Sequence, residues 1–193
     1  MHKNISTSVV IALTALLVTC VFAQKKKSIE LPGPAIFPSL EWLHSWNTIG
    51  KKVIAMAQDF PQDKYDFKAQ KDERTFAENL IHIAAVEYTM MSAMKGTPMG
   101  PAEKNQDSLR KIYSTKEDIV KFVTQAAADG SQLIKKQGDA GLTKTFKYPG
   151  KNFMIHGSFG WWSVLEHTGE HYGQLAVYYR LNGLIPPESR PKK

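Results

Sequence analysis

Four times between Ser39 and Leu181, apolar side chains recur at helical spacing, and each run is closed by proline or glycine. Leu40, Leu43, Trp46, Ile49, Val53, Ile54 and Ala57 form the first stripe. It should stop before Phe60-Pro61, because a residue preceding proline is pushed out of the helical region. The second opens on Thr75-Phe76-Ala77-Glu78, a capping box in which Thr and Glu satisfy each other's free backbone donors. Phe76, Leu80, Ile83, Ala84, Met90, Met91 and Met94 follow, and Gly96 and Pro98 end it. A third helix is expected from a box at Ser114-Thr115-Lys116-Glu117, through Ile119, Val120, Phe122, Val123, Ala126, Ala127, Leu133 and Ile134, to a stop at Gly138. Gly130 is a weak spot inside it. The fourth runs from about Ser158 to Leu181, with Asn182-Gly183 as its cap and Pro186-Pro187 beyond. Between the third and fourth, Thr143 to Tyr148 alternate in polarity before Pro149-Gly150, which suits a short strand or hairpin.

Four helices of this length in one chain predict an all-α fold, a four-helix bundle. The connections after the first three are about 15 to 20 residues. Up-and-down neighbours need roughly 2–8, so long crossover connections are expected. No internal repeat or low-complexity segment interrupts the pattern.

Residues 1–23 read as a signal peptide. Lys3 is followed by the apolar run of residues 9–18 and by Val21-Phe22-Ala23, with small residues where a signal peptidase reads. The apolar stretch from Val9 to Ala23 is 15 residues, short of the roughly 20 that span a bilayer. The expectation is export to a bacterial periplasm or the outside, with Gln24 as the mature start and no stable membrane insertion afterwards. Lipidation at Cys20 is the weaker alternative, since Thr19 stands where a lipobox usually carries Gly, Ala or Ser. Residues 24–36 form an extended leader rich in lysine, proline and glycine, and the folded domain is expected over 37–190.

The formal charge of +7 does not point to nucleic acid. Lys25, Lys26 and Lys27 cluster at one end, and Arg190, Lys192 and Lys193 at the other. From residue 31 to 187 there are 18 basic and 16 acidic side chains. A nucleic-acid groove gathers its cations on one folded face. After cleavage the single cysteine is lost, so disulfides, thiol nucleophiles and cysteine metal sites are excluded. Any chemistry must come from His, carboxylates or hydroxyls.

His167 and His171 stand four apart on the fourth helix, one turn from each other on one face. Val164, Leu175 and Tyr178 turn that face inward, where unpartnered imidazoles are costly. Two such imidazoles can share a metal, as in HExxH, although here Thr168 stands where the catalytic Glu would be. His82, mid-helix among core residues, is the third candidate ligand. Three neutral histidines leave a coordination position open, the layout of a catalytic site. Zinc is the first choice of metal and nickel the second; iron or manganese would usually bring a carboxylate. A di-iron centre needs Glu-x-x-His pairs, but Glu166 and Glu170 are each followed three residues on by glycine.

These pieces resemble the DinB/YfiT-like superfamily of four-helix-bundle metalloenzymes. The resemblance lies in the segments Phe60–Phe67, Arg74–Ala84, Glu166–Gln174 and Tyr179–Arg190, and covers residues 37 to 190. It implies a metal triad of one His from the second helix and an HxxxH pair from the fourth, here His82, His167 and His171. It also implies metal-dependent chemistry, as in relatives that are thiol S-transferases or a mycothiol-dependent isomerase. The export signal departs from that setting, since low-molecular-weight thiols are mainly cytosolic, and a hydrolase stays open. The substrate would be a small molecule of undetermined class. A homodimer rests on the resemblance alone. The alternatives are a non-catalytic metal- or ligand-binding module, or a metal that merely staples helices.

Gln174, one turn beyond His171, and Glu78, one turn before His82, are the candidate catalytic residues. Glu78 has a competing role in the capping box. Tyr178 reads as core, His44 as ordinary amphipathic packing and His156 as an exposed loop residue. Met90, Met91, Met94 and Met99 read as core filler rather than a copper(I) site.

Overall fold

The structure is a computed structural model that describes residues 38–99 and 106–191. The expected signal peptide and leader, Cys20 and the lysines at 25–27 and 192–193 lie outside the described residues. Among the described residues, five α-helices and one hairpin follow in order: α1 Ser39–Asp59, α2 Phe76–Lys95, α3 Gln106–Ile112, α4 Lys116–Thr143, β1 Thr145–Lys147, β2 Met154–His156 and α5 Gly157–Leu181. The chain is mostly helical, as the periodicity requires. Helix α3 was not expected; its short run has too few turns to show a period.

Local chemistry sets the boundaries. Glu78 donates its backbone N–H to Thr75 Oγ1 at 3.1 Å, and Thr75 donates its own to Glu78 Oε2 at 2.6 Å. The second capping box lies one residue later than expected, between Thr115 and Asp118 instead of Ser114 and Glu117. Both registers offer a hydroxyl and an acid three apart; burial of Ile119 and Val123 in the core selects one. Gly138 is a kink and not a stop. It takes φ 55°, which glycine alone adopts without strain, and the helix resumes to Thr143 so that Leu142 is buried. The predicted hairpin is present: β1 and β2 pair antiparallel with Phe146 opposite Ile155, both turned inward.

Contacts at the helix ends give the directions. The Tyr179 hydroxyl donates to the Met56 carbonyl at 2.9 Å, and Arg190 pairs with Asp59, so α5 ends where α1 ends. At the other end the rings of Trp46 and Trp161 meet edge-on, with centroids 5.3 Å apart. Helix α4 runs against α1: Lys116 reaches the Phe60 carbonyl at 2.8 Å, while Asp139 accepts the Ser39 N–H at 2.7 Å. Helix α2 also runs the opposite way, with Phe76 packed on Phe60 and Tyr179, and Met94 beside Gly160. The bundle is therefore up-down-down-up. Helix α1 packs on α4 and α5, and α2 packs on the same two. Because α2 and α4 are consecutive long helices and parallel, their link must return along the bundle. That explains its length and accounts for the expected crossover. Among the described residues, no helix is long and apolar enough to cross a membrane.

Gly130 turns out to be required by packing. A Cβ there would fall 2.2 Å from Cζ2 of Trp46. That ring cannot move aside easily, since its Nε1 donates to the Ala127 carbonyl at 2.7 Å and its face meets Trp161. Gly130→Ala should therefore destabilise the protein in urea titrations. Overpacking costs about 1–3 kcal/mol, against about 1 kcal/mol gained in helix propensity. A more stable variant would refute the wedge.

Candidate metal centre

Antiparallel packing of α2 on α5 brings one turn of α2 against two turns of α5. From α2 come Asn79 and His82, one turn apart. From α5 come His167, His171 and Gln174. The α5 stripe of Val164, Thr168, His171, Leu175 and Tyr178 is buried, which holds His171 inside and leaves His167 half-buried at its edge. His82 is also half-buried. The three expected ligands converge: one ligand atom from each lies within 4.8 Å of the others.

The hydrogen bonds assign the nitrogens. His171 Nδ1 faces two carbonyl oxygens, Asn79 Oδ1 at 3.1 Å and Gln174 Oε1 at 2.8 Å. Neither can donate, so Nδ1 carries the proton and Nε2 keeps its lone pair. Asn79 is itself oriented, because its amide nitrogen donates to the Thr75 carbonyl at 3.4 Å and to the Tyr178 hydroxyl at 3.3 Å. Tyr178 in turn donates to the Arg74 carbonyl. This chain fixes the ring of His171 in the way that outer partners fix metal-binding histidines.

Nε2 of His82 and Nε2 of His167 stand 3.1 Å apart. Two nitrogens at 2.0–2.1 Å from one tetrahedral ion are separated by about 3.3 Å, so the pair fits a shared ion. His167 Nδ1 is buried and has no hydrogen-bond partner. Leaving such an atom unsatisfied costs about 1–3 kcal/mol. Burial pushes the His167 pKa down to about 4, with the neighbouring His171, His82 and Arg74 acting in the same direction. Burial also lowers His171, opposed by its bond to Gln174. Neutral imidazoles with lone pairs turned toward one point are a donor set that suits a borderline divalent ion.

The other sequence candidates divide. Gln174 is exposed and orients His171. Glu78 makes the capping box and also lines the wall of a cavity of about 200 Å³ that adjoins His82. Tyr178 is buried, and its hydroxyl belongs to the Asn79 network. His44 is exposed on α1. His156 is exposed, with Nδ1 3.0 Å from the Thr143 carbonyl. Met90, Met91 and Met94 are buried in the core.

Sequence reasoning missed Asn79, although its place three residues before His82, as a polar group on an apolar face, was a usable signal. It also missed Glu87. This carboxyl is 4% exposed and accepts a hydrogen bond from the buried Thr168 at 3.2 Å. Burial raises its pKa to about 8, opposed by the Thr168 bond.

A family model described as the DinB superfamily matches residues 48–175, a span that contains all three histidines. Among solved structures, the chain is similar to the crystal structure of a DinB-like protein from Bacillus cereus ATCC 10987. The TM-score is 0.66 and the identity 16%, over 78% of this chain and 96% of that one. At that identity the likeness speaks for the fold alone. No curated protein matches the chain.

Two buried groups should imprint opposite pH signatures on the metal-free protein. Unfolded His167 takes a proton near 6.5, whereas the folded residue resists until about 4. Stability should fall as the pH drops through that window, less so in His167→Leu. Glu87 works the other way. Its folded carboxyl keeps a proton up to about 8, while the unfolded one loses it near 4.5. Its contribution is lost as the pH rises between those values. Glu87→Gln, which keeps an acceptor for Thr168, should gain on wild type progressively across that range. Urea titrations from pH 4 to 8.5 read both; a pH-independent difference between Glu87→Gln and wild type would sink the buried-acid account.

Proposed function

We propose, on the premise that this chain belongs to the DinB superfamily, that it is an exported enzyme dependent on one divalent metal ion. His82, His167 and His171 would hold the ion, zinc by first preference and nickel second. The reading is carried by the convergence of three imidazoles from two helices, with the Nε2 atoms of His82 and His167 3.1 Å apart. When bound, such an ion supplies Lewis acidity to whatever donor takes its remaining position, a water or a thiolate. The reaction would then be a thiol transfer or a hydrolysis on a small molecule.

The chain's own residues prepare the site. Asn79 and Gln174 hold the His171 proton on Nδ1 and so aim Nε2 inward. Burial keeps His167 unprotonated through the neutral range, where a ligand must offer its lone pair. The cavity beside His82 gives a small molecule a way in. That opening favours catalysis over a metal that only staples α2 to α5, because structural sites are closed by a fourth protein ligand. The mature chain would start at Gln24, carry its domain over 37–190 and act outside the cytoplasm. The N-terminal signal is the premise for export, and a homodimer is compatible with the reading without being required by it.

Elemental mass spectrometry on untagged protein tests the ion. Wild type should carry close to one equivalent, and His167→Ala or His171→Ala almost none. Protein that stays empty when offered zinc, nickel, manganese or iron would overturn the triad. Asn79→Leu removes a partner of His171 without touching a ligand. It should weaken metal affinity by roughly 10- to 100-fold, read by competition with a chromophoric chelator.

A further inference from the structure

The wall of the cavity beside His82 is charged, and its charges are not equivalent. Three cations line it: Lys68, Arg74 and Arg110. Arg110 is already engaged, with Asp66 at 2.8 Å and with the carbonyls of Tyr113 and Ser114 at 3.0 and 2.8 Å. Arg74 has no such ties: among the described residues its guanidinium makes no hydrogen bond or ion pair. Three acids also line the wall: Glu78 is held in the capping box, and Asp72 and Glu73 are exposed, as Arg74 and Lys68 are.

The backbone under Arg74 is pinned. Its carbonyl accepts the Tyr178 hydroxyl, and the next residue, Thr75, caps α2 and bridges to Lys68. The arginine thus projects from a fixed point on the cavity wall that it shares with His82. Among the described residues, no carboxylate belongs to the histidine set. A divalent ion there would keep its full charge, with a guanidinium beside it, and an anion is the ligand that such a field selects.

We propose that Arg74 anchors the carboxylate of a small anionic ligand whose second donor takes the open position on the metal. The inference rests on the metal reading and extends it to a substrate class. The volume of about 200 Å³ is below the 300–1,000 Å³ of drug-sized sites, which restricts the ligand to a few heavy atoms beyond its two binding groups. Arg74 suits the role, because a planar guanidinium grips a carboxylate through two parallel hydrogen bonds. Lys68 adds a second positive charge on the same wall.

Cobalt(II)-loaded protein and three thiols of matched chain length provide the test. The probes are 3-mercaptopropionate, 2-mercaptoethanol and cysteamine, which are anionic, neutral and cationic at their far ends. Each sulfur reports its arrival on cobalt by a charge-transfer band. 3-Mercaptopropionate should bind about tenfold more tightly than 2-mercaptoethanol, and cysteamine more weakly than either. Arg74→Met should erase that order, Arg74→Lys should keep part of it, and neither should alter the cobalt spectrum without thiol. Equal binding of the three probes, a preference for cysteamine, or an order that survives Arg74→Met overturns the anion anchor. Those outcomes leave the triad standing as long as the cobalt bands are present in wild type and absent in His167→Ala. Failure to load cobalt removes the metal reading and this proposal with it.

Discussion

The antiparallel contact between α2 and α5 is the constraint on which the rest of the molecule depends. It is fixed at both ends. At one, Phe76 packs against Phe60, Tyr178 and Tyr179; at the other, Met94 lies against Gly160, which has no side chain to hold it off. Between those clamps the register is set, and the register places His82 against His167 and His171. A slip of one helical turn, about 5.4 Å, would carry Nε2 of His82 out of reach of Nε2 of His167. The apolar ends of the interface thus set the geometry of its polar middle.

That polar middle is expensive. His167 Nδ1 is buried without a partner, Glu87 is buried as an acid, and Asn79 takes core volume on α2. Each would be replaced by a hydrocarbon if stability alone decided the sequence. The arrangement around them is ordered. Asn79 joins the His171 ring to Tyr178, and Tyr178 joins Asn79 to the segment bearing Arg74. One hydrogen-bonded chain therefore fixes an imidazole of the histidine triad and the backbone of a cavity-lining cation together. Pre-organisation of this kind is what a site needs when a ligand must meet two fixed points at once.

Much of this was legible in the residues. Helix period and proline stops placed the four long helices, because burial of one stripe per helix leaves a trace every three to four residues. His167 and His171 were legible as a pair, since four residues on a helix is a spatial statement. His82 was legible only as an anomaly, a polar side chain among Leu80, Ile81 and Ile83. Other features left weaker traces. The second capping box has two registers with equivalent chemistry, and packing chose between them. Gly130 looked like a defect in α4, because its reason, Trp46, lies 84 positions away in the chain. Glu87 and Thr168 carry no mark in sequence that separates a buried pair from two surface residues.

The sequence by itself determined the four long helices, the ends of α1, α2 and α5, the all-α class and the three imidazoles, because these follow from local periodicity, capping chemistry and residue type. Tertiary structure alone decided which nitrogen each ring presents, that Asn79 stands behind His171 and that Arg74, among the described residues, has no partner beside the cavity. Those facts depend on atoms brought within about 3 Å from remote parts of the chain. Periodicity fixes only the face a side chain occupies; the packing of one face on another fixes its partners.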